Sequence, residues 1–125
     1  MEVNLLPDGG RPAIQAYGDG GFRVSGTDHR GSILILARET RAWPVTAADR
    51  ASADNLAPVL DAAGEISLLL LGCGSAPAAV APGLRDALSA VGIVLEVMDT
   101  GAACRTYNIL AGENRPVAAA LIAVD

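Results

Sequence analysis

A nearly unbroken apolar run, residues 66–71 with only Ser67 inside it, ends on the small residues Gly72, Cys73 and Gly74. A strand with one buried face alternates apolar and polar positions, whereas a run that is apolar on both faces is typical of a strand covered on both sides. A buried helix is the other interpretation, but the run is short and stops at glycine, which favours a strand. We therefore predict that residues 66–71 form an interior strand of a covered sheet.

The chain after this run changes from extended to helical periodicity and back. Apolar residues at helical spacing predict a helix over 82–91, with Pro82 as its first residue and Gly92 at its end. Residues 93–98 then predict a strand.

A second helix is predicted to start at a cap formed by Thr100 and to end at Gly112, and residues 117–124 predict a final strand. The order strand, helix, strand, helix, strand over 66–124 predicts an α/β layer.

The first part of the chain reads as β. Residues 14–17 and 22–24 flank an Asp-Gly turn, which predicts a hairpin. Residues 26–31 are polar and predict a turn, and residues 32–37 predict a further strand. In residues 46–64 we expect one short helix, because Pro58 forbids a long uniform helix through that point.

The composition and net charge of the chain argue against several classes of function. The 125 residues carry a net charge of −5, and all nine basic residues are Arg, so chemistry that needs a lysine is excluded. An acidic chain is a poor nucleic-acid binder, so no nucleic-acid partner is expected. We expect one domain, 1–125, with residues 1–13 as an N-terminal extension. No signal peptide or membrane-length apolar stretch is predicted, and two Cys suggest free thiols, so we expect a cytoplasmic protein.

The first candidate ligand-binding turn is Gly72-Cys73-Gly74-Ser75, which follows the apolar strand and offers backbone amides and a hydroxyl to an anion. Ligands in open α/β sheets tend to bind beyond the carboxyl ends of the strands. As a dinucleotide motif the turn fails, because Pro77 stands at the third glycine position. Ordinary turn chemistry is the commoner role of such a sequence.

The second candidate turn begins at Asp99 and Thr100, where a capped helix start offers free N–H groups to an anion. Arg105 and Thr106 can add donors, and the helix dipole can lower the pKa of the Cys104 thiol. The competing interpretation is that Cys104 simply packs against the sheet, as most free cysteines do.

No catalytic set assembles in the sequence. His29 is the only histidine and lies in a polar, glycine-rich stretch without an evident acid–base partner. Two Cys and one His are a poor set of ligands for a structural zinc, so we expect no metal and no cofactor.

Motifs along the chain resemble a small uncharacterised bacterial and archaeal domain family, whose eukaryotic relative is the mitochondrial complex I assembly factor 3. The motifs are Tyr-Gly-Asp-Gly-Gly-Phe-Arg at 17–23, Gly-Ser at 31–32, Trp43, Leu-Gly-Cys-Gly at 71–74, Met-Asp-Thr at 98–100, Ala-Cys-Arg-Thr-Tyr-Asn-Ile-Leu at 103–110, Arg115 and Val-Ala-Ala-Ala-Leu-Ile at 117–122. Cys73 departs from the family, which more usually has Thr between the glycines.

The resemblance implies a three-layer α/β fold with a central mixed, mostly parallel sheet, to which the β-rich first third adds an excursion. It implies no established enzymatic activity for bacterial members, and action through binding partners for the eukaryotic one. A non-enzymatic interaction or assembly module with a protein partner is therefore the leading hypothesis.

The alternative is a small-anion or nucleotide-type ligand, or a thiol-dependent enzyme, between the Gly72 to Ser75 turn and the Thr100 helix start. Self-association through an unpaired sheet edge or the apolar residues Val3, Leu5 and Leu6 stays open.

Overall fold

The computed structural model describes residues 1–2 and 10–125. Its strands and α-helices are β1 Ile14–Gly18, β2 Gly21–Val24, β3 Thr27–Arg30, β4 Ile33–Ile35, β5 Thr40–Ala42, α1 Ala57–Asp61, β6 Leu68–Gly72, α2 Leu84–Ser89, β7 Val94–Met98, α3 Thr100–Gly112 and β8 Val117–Leu121. Single 3-10 turns at Ala48–Arg50 and Ala63–Glu65 flank α1.

The main sheet has five strands in the order β5-β4-β8-β6-β7. β6 pairs in parallel with β7 and β8, whereas β4 pairs antiparallel with β8 and β5. Four strands therefore run in one direction and β4 runs against them, which confirms the mixed, mostly parallel sheet that the resemblance implies. β6 is an interior strand, as predicted, although β8 and not β6 takes the middle position.

Both faces of this sheet are covered. Leu69 and Leu71 of β6 pack on one face with Val59 of α1 and Leu88 of α2. Leu70 points to the opposite face, where it packs in a second core with α3 and the three-stranded sheet β1-β2-β3. Two covering layers on a central sheet make the three-layer α/β fold, and they explain why this strand is apolar at successive positions.

The buried side-chain amide of Asn108 links the three-stranded sheet β1-β2-β3 to α3. Asn108 accepts a hydrogen bond from the Ile14 amide at 3.0 Å and donates to the Ile14 carbonyl at 2.8 Å, so it occupies both backbone groups as a neighbouring strand would. The β1-β2 hairpin is confirmed, with Asp19 and Gly20 at positive φ in a two-residue loop. This loop lies at the same end of the molecule as the start of α3.

The prediction of a turn over 26–31 is wrong, because Thr27–Arg30 forms β3 and pairs antiparallel with β2. The turn is shorter, with Ser25 and Gly26 at positive φ. β3 is an edge strand whose residues are mostly exposed, so it has no apolar alternation from which it can be recognised. β5 was missed for the same reason.

Two helix starts differ from the prediction. Gly83 adopts φ +87° just before α2, so the helix spans only Leu84–Ser89 and Pro82 lies outside it. Thr100 is the first residue of α3, and its cap is Asp99, whose carboxylate accepts a hydrogen bond from the Ala102 amide at 2.9 Å. The short helix expected in 46–64 is confirmed as α1, with Pro58 in its first turn.

None of the helices in the described part of the chain has the length and apolar character needed to cross a bilayer. Val3, Leu5 and Leu6 lie outside the described residues.

Candidate functional site

The two candidate turns meet. The Thr100 amide donates to the Gly74 carbonyl at 2.8 Å, and the Gly74 amide donates to Thr100 Oγ1 at 2.9 Å. The Thr100 hydroxyl in turn donates to the Ile122 carbonyl at 2.7 Å. One buried threonine therefore joins the exit of β6, the start of α3 and the segment that follows β8.

Gly72 allows this close approach. A Cβ at Gly72 would lie 2.9 Å from Thr100 Cα, which is too close for two carbon atoms of the packed backbone, and 3.1 Å from Leu121 Cδ2, which would have to shift. The glycine at the end of the apolar strand is thus required by packing against α3, and its own atoms are buried.

A cavity of about 700 Å³ opens beside this junction. Four of the nine predicted site residues line it: Cys73, Gly74, Ser75 and Asp99. The turn after β6 and the cap of α3 therefore share one concave surface, at the carboxyl ends of β6 and β7.

The remaining walls come from parts of the chain that sequence reasoning did not include. They are the β1-β2 turn, the first turn of α3 and the segment after β8, together with Met1 and Thr46; the residues are Met1, Tyr17, Gly18, Asp19, Thr46, Gly101, Ile122, Ala123, Val124 and Asp125. The Gly20 amide donates to the Val124 carbonyl at 2.8 Å, which holds two of these walls together. The sequence signal for these walls is the glycine-rich turn of the β1-β2 hairpin, which by itself predicts only a turn.

Tyr17 closes the cavity toward α3. A Cβ on Gly101 would overlap the Tyr17 hydroxyl and lie 3.0 Å from Cζ, so the glycine lets the phenol ring lie directly on the helix. Arg105 Nη1 approaches the same point from the helix side, at 3.3 Å.

The other five predicted residues do not line the cavity. Gly72, Thr100 and Cys104 are buried in packing, while Arg105 and Thr106 lie further along α3. The predicted set is thus divided among the cavity wall, buried positions of β6 and α3, and the more exposed positions of Arg105 and Thr106.

Cys104 is fully buried in the core between α3 and the sheet. Burial raises the pKa of its thiol to about 12, and the repulsion from Asp99 adds to this while Arg105 opposes it. Of the two interpretations of Cys104, the structure therefore supports packing against the sheet and contradicts a lowered pKa, because loss of solvation by burial is the largest effect on the thiol. Cys73, which is half-buried, is the cysteine among the lining residues, and its Sγ donates to the Ala78 carbonyl at 3.7 Å.

The start of α3 has few N–H groups left for an anion. The Thr100 amide is bonded to Gly74, and those of Ala102 and Ala103 are bonded to the side chain and the carbonyl of Asp99. Capping by a carboxylate also offsets the positive end of the helix dipole. The N-terminus is largely occupied by the protein itself.

Negative charge dominates the cavity wall. Asp19, Asp99 and Asp125 line it, and none of them belongs to the ion pairs found in the described residues. The basic group at the wall is the Met1 amino group, which donates to the Tyr17 carbonyl. Arg30 Nη1 reaches the Asp19 carbonyl at 3.4 Å from outside the lining.

A smaller cleft of about 290 Å³ includes His29, Arg38 and Glu39 and lies between the β2-β3 and β4-β5 hairpins. Within the described residues, no three His, Cys, Asp or Glu side chains are grouped so as to hold a metal ion.

The architecture and the cavity define a class: a small three-layer α/β domain with a concave site where β6 and α3 meet. The chain belongs to the family described as protein of unknown function (DUF498/DUF598), whose model matches residues 14–122.

Two relatives show how far the likeness extends. An uncharacterized protein of Rhodobacter capsulatus is 40% identical over 109 residues, which cover 87% of this chain and 82% of the relative. The NADH dehydrogenase [ubiquinone] 1 alpha subcomplex assembly factor 3 of Danio rerio is 32% identical over 109 residues, covering 87% of this chain and 63% of the relative. This chain therefore spans less than two thirds of that assembly factor.

Solved structures share the fold. A crystal structure described as an outer membrane protein from Bartonella henselae superposes with a TM-score of 0.87 at 38% identity, covering 95% of this chain and 100% of the other. The solution structure of a Bordetella pertussis protein described as a Mth938-like domain gives 0.81 at 27% identity, covering 98% and 92%.

Proposed function

We propose that this chain is a non-enzymatic protein-binding module that assists the assembly of a larger complex, and that its partner docks over the cavity beside Thr100. The observation that carries the proposal is the similarity over 109 residues to a protein named as an assembly factor of NADH dehydrogenase. The cavity supplies the place, because it is the larger of the two concave surfaces described above.

The chemistry of the cavity wall supports binding over catalysis. Cys104, the thiol that the sequence analysis considered for reactivity, is buried and does not line the cavity, and its raised pKa of about 12 leaves it protonated at neutral pH. The side chains at the rim, Asp19, Ser75 and Asp125, are exposed and can contact a partner without rearrangement.

A photo-crosslinking experiment tests this function. The amino acid p-benzoylphenylalanine replaces Ser75 at the rim in one variant and exposed Asp61 of α1, outside the lining, in a control. Both variants are expressed in the native host, irradiated and analysed by mass spectrometry. We expect one defined protein crosslinked at position 75 and not at position 61, and loss of its parent complex when the gene is deleted.

Crosslinks at position 75 to many abundant proteins, or to none, would contradict a dedicated partner at this surface. Crosslinks only between copies of this chain would instead assign the surface to self-association, and the assembly role would then be rejected.

A second function, small-ligand binding, is favoured by the volume of the cavity, which lies within the roughly 300–1,000 Å³ of small-molecule sites. An anion or nucleotide would meet three aspartates, and a thiol-dependent reaction would have to use Cys73. A thermal-shift screen separates these functions, since a ligand at ~100 times its dissociation constant stabilises the protein by roughly 2.7 kcal/mol. A shift with an anion or nucleotide that disappears on substituting Ser75 would favour this function.

We also infer a cytoplasmic location and no affinity for nucleic acid. The two unpaired cysteines support the cytoplasmic location. The net charge of −5 supports the lack of affinity for nucleic acid. Cell fractionation and a gel-shift assay with duplex DNA and RNA test these two inferences.

A further inference from the structure

The edge strand β3 presents a surface that is complementary to itself. We infer that two copies of this chain associate by pairing β3 with β3 of the second copy, antiparallel about a two-fold axis at His29. The surface is separate from the cavity beside Thr100, because no residue of β3 lines that cavity. The inference goes beyond the proposed function and does not depend on it.

The backbone of β3 has one free side. β3 pairs with β2, and no other strand pairs with it in the described sheets. The Gly31 amide donates to the Gly20 carbonyl at 2.7 Å, and hydrogen-bonded pairs alternate with non-bonded pairs along an antiparallel ladder. The backbone groups of His29 therefore face β2, whereas those of Asp28 and Arg30 point to the free side.

A second copy of β3 can pair with both outward residues at once. In the two-fold register centred on His29, Asp28 of each copy lies opposite Arg30 of the other. Each of these two pairs exchanges amide-to-carbonyl hydrogen bonds in both directions, as hydrogen-bonded antiparallel pairs do. This register therefore satisfies every outward-pointing backbone group of Asp28 and Arg30 in both copies.

The side chains of the facing residues carry opposite charges. Asp28 and Arg30 are exposed and share the outer face of β3, because side chains two residues apart point to the same side of a sheet. Arg23 bonds Asp28 Oδ1 at 2.9 Å, which leaves Oδ2 for Arg30 of the second copy. Arg30 Nη1 reaches the Asp19 carbonyl at 3.4 Å, and the guanidinium has further N–H donors. Opposite charges directly across an antiparallel pair stabilise the pairing.

The residue on the two-fold axis is compatible with this pairing. His29 faces His29 of the second copy, and an ordinary histidine is uncharged at pH 8. Its side chain is half-buried in the cleft that Arg38 and Glu39 also line, so one charge of each sign comes from the β4-β5 hairpin. No like charges therefore meet across the axis at pH 8.

The other strand edges lack this complementarity. At β1, the Asn108 side chain already bonds both backbone groups of Ile14. At β5 and β7, the corresponding register is centred on the middle residue of the strand, which is Arg41 in β5 and Glu96 in β7. Symmetric pairing would place each of these charges opposite its own copy, and like charges directly opposite destabilise a strand pair. Charge complementarity thus favours β3.

Charge-reversal variants test the pairing at pH 8. Asp28→Arg and Arg30→Asp each place like charges at both facing pairs, whereas an equimolar mixture of the two variants restores opposite charges. Sedimentation equilibrium from about 10 μM to about 1 mM protein measures the dimer, because one pair of four-residue strands is a small interface. We expect a concentration-dependent dimer in the native chain, association at least about 5-fold weaker in each variant alone, and recovery in the mixture.

The matched controls are Asp61→Arg and Arg50→Asp, which change the net charge by the same amounts at exposed positions outside β3. Both should associate as the native chain does. Recovery in the mixture also shows that the two variants are folded, because each must present an intact β3 to the other. A native chain that stays monomeric over this range, an equal loss in the controls, or a mixture no stronger than its components would overturn the inference.

A cysteine on the two-fold axis tests the register. Non-bonded antiparallel pairs have Cα atoms about 4.5 Å apart, which a disulfide can span. His29→Cys and the control Asp61→Cys, exposed on α1, are both made in a Cys73→Ser background. Mild oxidation should convert most of the His29→Cys protein into a covalent dimer and leave the Asp61→Cys protein largely monomeric. Equal yields of covalent dimer in the two variants would overturn the inference.

Discussion

Thr100 and Gly74 exchange two hydrogen bonds, amide to carbonyl at 2.8 Å and amide to hydroxyl at 2.9 Å. The pair fixes the loop after β6 against the first turn of α3. Because Thr100 also donates to the Ile122 carbonyl, the hydroxyl acts as both acceptor and donor inside a buried junction. This one side chain thus bonds two residues that line the cavity, Gly74 and Ile122.

Replacing Thr100 with Val should be strongly destabilising although the two side chains have nearly the same shape. The Gly74 amide and the Ile122 carbonyl would each lose a buried partner, at about 1–3 kcal/mol apiece. Urea denaturation should therefore show a loss of about 2–6 kcal/mol, the sum of the two costs. The control is T106V, the same exchange six residues along α3 at a half-buried position, which should cost under about 1 kcal/mol. Equal losses in the two variants would show that the Thr100 hydroxyl has no special role.

The effect of Gly101→Ala on stability should depend on the residue at position 17, being destabilising with Tyr17 and stabilising with Ala at that position. In the native background the new Cβ meets the Tyr17 ring, and overpacking of this kind costs about 1–3 kcal/mol. In a Tyr17→Ala background the clash is gone, and Ala should gain about 0.8–1 kcal/mol over Gly from helix propensity. A double-mutant cycle from chemical denaturation measures the coupling between the two positions. Additive effects would show that Tyr17 does not rest on Gly101.

Cys104 should make the protein sensitive to alkali. Its pKa is raised from 9.0 to about 12, so above pH 9 the unfolded chain releases a proton that the native state retains. The stabilisation is complete below pH 9 and is lost as pH rises through about 12, at up to about 1.4 kcal/mol per pH unit. Denaturation curves at pH 8 to 11 should show a shallower decline for Cys104→Ala than for the native chain. The same slope in both would contradict a protonated, buried thiol.

Much of the fold follows from local pattern. β6 was recognisable because six neighbouring positions are almost all apolar, and the hairpin because Asp19-Gly20 suits positive φ. β3 and β5 were not, since exposed edge strands carry polar residues that look like loops. Whether such a segment forms a strand depends on the neighbouring strand with which it pairs, and a short stretch of sequence carries no information about that pairing.

The candidate site was only half predictable. That a loop after a parallel strand faces a helix start follows from topology, and Cys73, Gly74, Ser75 and Asp99 line one cavity. The contribution of Tyr17 and Asp125 depends on chain separations of about a hundred residues between the hairpin and the end of β8. The environment of Cys104 depends on the same packing, because its depth in the core determines its pKa.

Arg85 should protect the edge of the main sheet, and its removal should promote self-association. Val94 donates to the Ser67 carbonyl, so the next residue, Leu95, directs its backbone away from β6, and Arg85 Nη1 donates to that outward carbonyl at 2.6 Å. β7 is the last strand on this side, and Val94 on it is 59% exposed. A free edge with exposed apolar side chains is a template for pairing with another chain, which a charged side chain suppresses. Sedimentation velocity should show more dimer in Arg85→Ala than in the native protein.

The matched control for this effect is Arg50→Ala, which removes an exposed arginine from the 3-10 turn Ala48–Arg50 and lowers the net charge equally. It should leave the sedimentation profile unchanged, because Arg50 covers no strand edge in the described sheets. Arg85→Lys should fall between the two, since an ammonium group can reach the Leu95 carbonyl with one donor but lacks the planar fork of the guanidinium. If dimerisation rises equally in Arg85→Ala and Arg50→Ala, the effect is due to net charge, and the proposed protection of the β7 edge by Arg85 is rejected.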